Sequence, residues 1–401
     1  MRNVGDLVVV SGLVVGCVGG VAACGPSHVT LDPRSVVNVN VRPTSGQLLY
    51  CPGDPFQVEL TAKLKDGTSC SSVNRQLGCM GKSDAVIDPE TVRITGSSGA
   101  QTDEKEKWVW LPGANPLDTA STGMTLKGWI EATIDGQALK SMEGESELKP
   151  VYQCMRENIL KTPGNEANDE AKALGGLLTL RTKSADANGA NGRPGPDLKV
   201  FVTALSTPFY PDAALIRIDS SQGVRRYVIS QSADQSVRIV SKGQSGARGV
   251  PGRDGTDGSK GYDASGQCEK GGKGGGGTDG TSGNSGGDGG IGGAIQVMLD
   301  EAAADKLKGR LIVASVGGDA GPGGFAGRGG SGGAGGKGGP DGQGCKGERG
   351  DSGTAGKSGD DGQAGQQGPG GPEPTWGTGS RETLFGSELG TIKRIEEAKG
   401  K

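Results

Sequence analysis

Histidine and aromatic residues are scarce in this chain of 401 residues. It contains one histidine, His28, and aromatic residues make up 3% of the sequence. A Ser-His-Asp or Cys-His nucleophile needs a histidine base, and His28 lies near the N-terminus, away from other motifs. The formal net charge of −3 gives no argument for binding nucleic acid. The composition therefore argues against histidine-dependent catalysis and against a nucleic-acid partner.

Metal-binding and phosphate-binding motifs are also missing. No two cysteines have Cys-x₂-Cys spacing, which argues against zinc. Residues 354–358 resemble the end of a phosphate-binding loop, but Asp351 stands where that loop needs glycine, and no strand or helix is predicted beside it. Chance pairs of carboxylates are expected among 46 Asp and Glu residues. We expect no enzyme, no cofactor and no metal site, with a carboxylate-dependent surface hydrolase as the least favoured alternative.

The N-terminus has the layout of a secretory signal. Arg2 precedes an apolar stretch over residues 7–20 that is too short to span a bilayer comfortably. Residues 21–24, Val-Ala-Ala-Cys, resemble the bacterial lipobox. The resemblance implies cleavage after residue 23, lipidation of Cys24 and, with Gly25 next, an outer-membrane or cell-surface location. An ordinary signal peptide with an incidental cysteine is the alternative. Residues 24–34 are predicted to form a polar tether.

Six further cysteines form an even set in an exported chain, which predicts disulfides. The sequence leaves several pairings open. We favour Cys70–Cys79 across a polar loop, Cys51–Cys154 joining the ends of the first domain, and Cys268–Cys345 clamping two glycine-rich runs.

Residues 35–154 alternate between apolar and polar side chains as half-buried strands do. Val37, Val39 and Val41 are interleaved with polar residues, and the same pattern recurs over residues 56–65 and 126–134. Turn signals at residues 66–67 and 135–136 separate the runs. The pattern predicts an immunoglobulin-like β-sandwich.

Three tryptophans lie in this predicted domain. Trp129 falls on the polar face of its strand and is therefore the candidate contact for a sugar or protein ligand. Trp108 and Trp110 share one face of another strand. The alternative for all three is burial under a neighbouring strand or domain, because large aromatic side chains are usually mostly buried.

Most of the 79 glycines lie between Gly243 and Gly371 and recur at every third position. A period of three is that of the polyproline II helix, with three residues per turn. Glycine on one face lets another backbone approach and exchange hydrogen bonds with it. Runs of Gly-Gly-x at residues 287–293 and 329–339 leave two faces of the helix without side chains, which predicts positions inside a bundle. Single-glycine runs at 249–255 and 347–353 are predicted to lie outside.

The single-glycine runs resemble the collagen-like repeats of bacterial surface proteins. The Gly-Gly-x runs are similar to the polyglycine II bundles of phage tail adhesins and to the glycine-rich domain of Obg-type GTPases. These resemblances imply a bundle of polyproline II helices within one chain or, alternatively, a collagen-like homotrimer. At about 3.1 Å per residue, runs of about 22 to 28 residues would reach roughly 70–85 Å, much longer than the flanking strands. We therefore expect each run to fold back at least once.

The remaining segments complete the predicted organisation. Residues 155–176 are a connector, residues 177–371 a domain of β-strands and Gly-x-x runs, and residues 372–401 a tail with an amphipathic helix. The predicted fold is mainly β, with a glycine-rich polyproline II helix bundle interleaved with strands after the sandwich. The predicted function is a non-catalytic adhesion or binding module on the cell surface. It is anchored to the membrane by lipid and binds a polysaccharide or protein ligand. A trimeric structural stalk or envelope spacer is the alternative.

Overall fold

The computed structural model describes residues 27–102, 108–162 and 188–400. The chain is mainly β, as predicted, and forms two compact units. The first unit comprises Met1–Met155, Leu205–Ala213 and Glu388–Lys401, and the second comprises Arg156–Ala204 and Ala214–Ser387. Each unit is thus discontinuous in sequence, which the predicted consecutive domains did not anticipate. The predicted signal peptide, Cys24 and most of the predicted connector lie outside the described residues.

The first unit is built from two larger sheets and one short strand pair. One sheet has the order β2-β4-β9-β8 with β5 beside β4, and the other has the order β11-β10-β12-β3 with β7 beside β10. Strands β1 and β6 form a parallel pair. The strands are β1 (Ser27–Val29), β2 (Val36–Pro43), β3 (Leu49–Tyr50), β4 (Phe56–Leu64), β5 (Ser69–Ser71), β6 (Ala85–Ile87), β7 (Val92–Gly96), β8 (Ala100–Thr102), β9 (Val109–Leu111), β10 (Met124–Ile134), β11 (Gln137–Lys140) and β12 (Gly144–Pro150).

Both larger sheets contribute to one hydrophobic cluster. It includes Val41 and Leu60 from the first sheet and Leu126 and Ile130 from the second. The alternation predicted for β4 and β10 is therefore confirmed. Val37 is an exception, because the register between β2 and β4 shifts at this point and Val37 is exposed while Val39 and Val41 are buried.

The predicted tether is part of the folded unit from Ser27 onwards. Strand β1 pairs in parallel with β6, so that Ser27 lies opposite Ala85. Leu31 is fully buried in the same cluster. Asp32 caps the short 3₁₀ helix Pro33–Ser35 by accepting a hydrogen bond from the Arg34 backbone. The polar tether predicted over residues 24–34 is corrected from Ser27 onwards, because Val29 and Leu31 pack in the hydrophobic cluster.

The second unit contains a mixed five-stranded sheet, β16-β15-β14-β18-β20, and a parallel three-stranded sheet, β13-β17-β19. The described helices of the two units are short. Strand β13 lies in the predicted connector and β20 in the predicted tail, so both boundaries are corrected. The strands are β13 (Glu157–Lys161), β14 (Leu198–Leu205), β15 (Ala213–Ser220), β16 (Arg225–Ser230), β17 (Val237–Lys242), β18 (Ile295–Asp300), β19 (Leu311–Val316) and β20 (Thr375–Gly379). The α-helices are α1 (Ala304–Lys308), α2 (Arg381–Phe385) and α3 (Leu389–Glu397), and the 3₁₀ helices are Pro33–Ser35, Arg75–Leu77, Pro89–Thr91, Pro116–Asp118, Gln153–Arg156, Glu301–Ala303 and Ala398–Gly400.

Five extended glycine-rich segments continue the strands of the second unit. We number them segment 1 (residues 189–195), segment 2 (243–261), segment 3 (271–293), segment 4 (317–339) and segment 5 (347–371). Segments 1, 3 and 5 run into β14, β18 and β20, which are neighbours in one sheet, and segments 2 and 4 follow β17 and β19.

Hydrogen bonds repeat along these segments with a period of three residues. Glycine N–H groups of segment 2 donate to carbonyls of segment 4 from Gly243 to Val316 up to Gly261 to Ala334, with constant separation. Segment 3 bonds in the same way to segment 5, and to segments 1, 2 and 4. The register runs unbroken along each segment, so the expectation that the runs fold back is wrong. Each run is held at full length by its neighbours.

Glycine content separates the inner segment 3 from the outer segment 5. Segment 3, rich in Gly-Gly-x, bonds to all four other segments, whereas the single-glycine segment 5 bonds to segments 3 and 4 only. A Cβ atom on Gly290 would meet the Arg193 carbonyl of segment 1. Farther from the strands, where segment 1 has ended, the next three equivalent positions of segment 3 are Asn284, Thr281 and Thr278, and glycine returns at Gly275 and Gly272, which lie against Ser259 and Tyr262. The prediction of inner and outer runs therefore agrees with the hydrogen bonding.

Two serines, Ser241 (buried) and Ser315 (half-buried), join the sheets to the glycine segments. The Ser241 hydroxyl donates to the Pro196 carbonyl at 2.6 Å and accepts from the Gly293 N–H at 3.1 Å. The Ser315 hydroxyl donates to the Gly293 carbonyl at 2.6 Å and accepts from the Gly371 N–H at 3.1 Å. Both side chains satisfy backbone groups where the strand ladders end.

Candidate functional site

The three predicted disulfides are all formed. Cys51 pairs with Cys154, Cys70 with Cys79, and Cys268 with Cys345, with Cα–Cα distances of 6.3, 4.8 and 5.6 Å. They indicate an oxidising, extracellular compartment. Among the described residues, one group of possible metal ligands occurs, formed by Cys51, Asp54 and Cys154. Because its two sulfur atoms form a disulfide, it offers no thiolate to a metal.

Trp129 lies on the polar face of β10, as the alternation predicted. Its neighbours Gly128 and Ile130 are buried, whereas Trp129 itself is half-buried. The indole Nε1–H points to the Glu131 carboxylate at 3.5 Å, and the Lys140 ammonium stands 4.2 Å from the ring centroid. A surface cation therefore lies over one side of the ring.

Charged side chains on neighbouring strands surround Trp129. Arg93 of β7 lies directly opposite it in register and contacts Glu131 at 3.7 Å. Lys140 contacts Glu143 at 2.6 Å. Hydrogen bonding to Lys140 lowers the pKa of Glu143, so this carboxylate stays ionised at neutral pH. Exposed ion pairs of this kind add little to stability, but they supply hydrogen-bond donors and acceptors around the indole. We call Trp129, Arg93, Glu131, Lys140 and Glu143 the Trp129 face.

Trp108 and Trp110 do not form a comparable surface. The Trp110 side chain is buried in the first hydrophobic cluster, and its Nε1–H donates to the Ser98 carbonyl at 3.0 Å. Trp108 packs against the same cluster. A Cβ atom on Gly96 would stand 2.5 Å from the Trp110 ring, so a glycine is required beneath it. Burial was the alternative considered for these residues, and for Trp110 it is confirmed.

Aspartates of the glycine segments have a structural role that the sequence analysis missed. The carboxylates of Asp254 and Asp257 in segment 2, and of Asp263 just after it, accept hydrogen bonds of 2.6–2.7 Å from backbone N–H groups of segment 4. Asp279 and Asp288 of segment 3 bind segment 5 in the same way. The signal was the recurrence of Asp at the third position of the triplet. These bonds satisfy donors that the glycine ladder leaves unused.

The aromatic residues of the glycine segments lie at the surface. Tyr262 and Phe325 are both well exposed. The Arg248 guanidinium stands 5.0 Å from the Phe325 ring centroid. The Tyr262 ring lies over Gly272, where a Cβ atom would meet it at 2.3 Å.

Two of the buried carboxylates, Glu59 and Asp300, accept hydrogen bonds from hydroxyl groups elsewhere in the chain. Glu59 accepts from the Ser71 hydroxyl at 2.6 Å. Asp300 accepts from the Thr203 hydroxyl at 2.7 Å and from the Ala302 backbone. His28 is exposed on β1. These groups are separately engaged and do not form an acid–base pair with one another.

Comparison with protein-family models, with curated proteins and with solved structures finds no match to this chain. Within the described residues, no helix is long and apolar enough to cross a membrane.

Proposed function

We propose that this chain is an exported lipoprotein that binds a surface polysaccharide through the Trp129 face. The single observation that carries the proposal is the position of Trp129: a half-buried indole in the middle of a polar sheet face, ringed by donors and acceptors. Aromatic faces that stack on apolar sugar faces, flanked by polar groups that bind hydroxyls, have this composition. The function is binding and not catalysis.

The proposed fold of the first unit is an immunoglobulin-like sandwich. Its support is the pair of antiparallel sheets that share one hydrophobic cluster. For the second unit we propose a polyproline II helix bundle. Its support is the three-residue period of the hydrogen bonds between segments and the close backbone approach at every third residue.

We further propose that the protein is a monomer. In collagen, the glycine N–H groups bond to other chains. Here the glycine N–H groups of segments 2 to 5 donate to carbonyls of the same chain. A homotrimeric stalk would need other donors and other bare faces. Light scattering of residues 25–401 should give the mass of one chain, and a threefold mass would support the stalk instead.

The membrane anchor is proposed from Cys24 and its lipobox. The three disulfides place the folded chain in an oxidising compartment, which agrees with export. Metabolic labelling of the full chain with a fatty acid should label the wild type and leave Cys24→Ser unlabelled. Equal labelling of both would exclude the anchor.

The polysaccharide site is tested on residues 25–401 with the disulfides intact. We expect the wild type to be retained on one or more immobilised bacterial surface polysaccharides. Trp129→Ala should lower the affinity at least tenfold, because stacking of the sugar on the aromatic ring is a main part of such binding. Trp376→Ala is the matched control, since Trp376 is 38% exposed and also has a lysine, Lys308, near its ring.

Lys140 provides a second, sharper variant. A sugar ring that stacks on Trp129 must displace the Lys140 ammonium. The cation–π interaction lost in this step contributes about 0.5–1 kcal/mol at an exposed site. Lys140→Ala should therefore bind as well as the wild type or a few times better. Failure of the wild type to bind any polysaccharide, or equal losses for Trp129→Ala and Trp376→Ala, would reject the Trp129 face as a sugar site.

A further inference from the structure

A short loop closed by the Cys70–Cys79 disulfide exposes two large apolar side chains. Leu77 is 50% exposed and Met80 is 54% exposed, in a loop that we define as residues 75–82. Both ends of this loop carry exposed cations, Arg75 and Lys82. The loop therefore presents two apolar side chains, Leu77 and Met80, between two cationic ones, Arg75 and Lys82.

The 75–82 loop is held rigidly by its own bonds. The Asn74 side chain accepts from the Gln76 N–H at 3.0 Å and begins the 3₁₀ helix Arg75–Leu77. Cys79 and Lys82 exchange two backbone hydrogen bonds of 3.0 Å across a tight turn. A loop that is already ordered loses little conformational freedom when it binds a surface.

The residue at the tip of the turn is not one that the backbone favours. Met80 has a φ of 50°, in the left-handed region, where glycine or asparagine is preferred and a methionine side chain is disfavoured. About half of its side chain remains exposed.

The fold places this loop beside the N-terminus. Strands β1 and β6 are parallel, with Ser27 opposite Ala85. The chain that precedes Ser27 and the 75–82 loop, which precedes Ala85, therefore leave the strand pair at the same end. Cys24 precedes Ser27 by three residues, which is at most about 10 Å of extended chain. A lipid on Cys24 would bring the membrane surface to this end of the unit.

We propose that Leu77 and Met80 insert into the membrane interface, while Arg75 and Lys82 contact anionic lipid headgroups. The inference deepens the proposed lipoprotein function, because the loop acts as a second attachment point next to the acylated terminus. Two attachment points would fix the orientation of the first unit, so that it does not swing about its lipid. The partner is an anionic phospholipid surface.

The test uses residues 25–401, which lack the lipid-bearing cysteine, and vesicles of phosphatidylglycerol and phosphatidylcholine. We expect the protein to sediment with these vesicles. Leu77→Ser/Met80→Ser should lower the partition coefficient roughly 25-fold, since burying the exposed half of each side chain contributes about fivefold. The matched control is Leu48→Ser/Met142→Ser, which changes a leucine 46% exposed and a methionine 52% exposed elsewhere.

Charge is tested separately by Arg75→Glu/Lys82→Glu. Each cation near an anionic surface contributes roughly fivefold to the partition coefficient, so this variant should bind weakly to the anionic vesicles. Pure phosphatidylcholine vesicles should bind the wild type less than the mixed vesicles do. Unfolding midpoints within about 2 °C of the wild type would show that the variants are folded.

Two results would overturn the proposal. In the first, the wild type does not sediment with the anionic vesicles. In the second, Leu77→Ser/Met80→Ser has the same partition coefficient as the Leu48→Ser/Met142→Ser control. Both are independent of acylation, because Cys24 is absent from the protein used. Failure of the anchor itself would appear instead as unlabelled full-length chain in the fatty-acid experiment, so the two failures are distinguishable.

Discussion

Replacement of two adjacent glycines in segment 3 should have opposite effects on the second unit. At Gly277, a Cβ atom would stand 2.2 Å from the Gly330 carbonyl oxygen of segment 4. At Gly276, the nearest atom would be the Thr354 hydroxyl oxygen at 3.4 Å, an ordinary van der Waals distance. The two positions are adjacent in the same segment, and a side chain would point in a different direction at each.

The cost of Gly277→Ala follows from the displacement that it requires. Segment 4 must retreat by about 1 Å to restore a normal contact. Two hydrogen bonds cross this point, from Gly330 N–H to the Thr278 carbonyl at 2.9 Å and from Gly333 N–H to the Gly275 carbonyl at 2.8 Å. Losing both costs about 2–3 kcal/mol, and overpacking adds about 1–3 kcal/mol. We expect a loss of roughly 3–6 kcal/mol.

The assay is urea or thermal unfolding of the oxidised protein, followed by circular dichroism and calorimetry. Gly277→Ala should lower the unfolding midpoint of the second unit by roughly 10 °C. Gly276→Ala should leave it unchanged or raise it slightly, because alanine restricts the unfolded chain, which is worth about 0.4–1 kcal/mol. Equal effects of the two variants would refute the steric argument and, with it, the interlocked arrangement of segments 3 and 4.

Two further predictions concern the disulfide of the second unit and the buried tyrosines of the first. Cys268→Ser/Cys345→Ser opens a loop with a sequence separation of 77 residues and should cost about 4 kcal/mol of unfolding free energy; calorimetry that shows a loss below about 1 kcal/mol would contradict this. Burial raises the pKa of Tyr50 to about 12, whereas the unfolded chain releases this proton near pH 10. Its contribution to stability should therefore be complete below about pH 10 and disappear as the pH rises towards 12. Urea midpoints of wild type and Tyr50→Phe between pH 9 and 11.5 check this, and parallel curves would show that Tyr50 does not contribute.

Much of the local structure followed from short sequence patterns. Strand β10 and its inward residues Leu126 and Ile130 were predicted from alternation alone. The turns at Asp135 and Gly136 have the left-handed φ values of 54° and 76° that their Asp-Gly sequence suggested. The amphipathic tail is helical, with Ile392 and Ile395 buried. Each pattern is local, and local sterics and one-sided burial suffice to set it.

Other elements depend on partners far away in sequence. Strands β1 and β13 are short and lie in stretches whose sequence is typical of polar connectors. They become strands by pairing with β6 and β17. Val37 was placed on the wrong face because a register shift has no signature in alternation. The fold-back of the glycine runs was predicted by comparing lengths. That argument omitted the lateral bonds that keep long parallel neighbours in register.

The candidate sites divide in the same way. Alternation on β10 was enough to put Trp129 on the polar face, but the approach of Lys140, Arg93 and Glu131 depends on the pairing of β10 with β7 and β11. The six paired cysteines could be recognised as a disulfide set from their even number in an exported chain. The 75–82 loop had no signal as a site, since its position beside Ser27 arises from a pairing over more than fifty residues.

The sequence by itself determined where backbones pack without side chains between them. Glycine at every third position lets neighbouring backbones approach, because a Cβ atom at most of these positions would meet a backbone carbonyl of another segment. Only the tertiary structure decided which segments become those neighbours and in which direction they run. The same triplet can bond to a parallel or an antiparallel partner. The order of strands β14, β18, β20 and of β17, β19, fixed by burial of their apolar side chains, selects one arrangement among them.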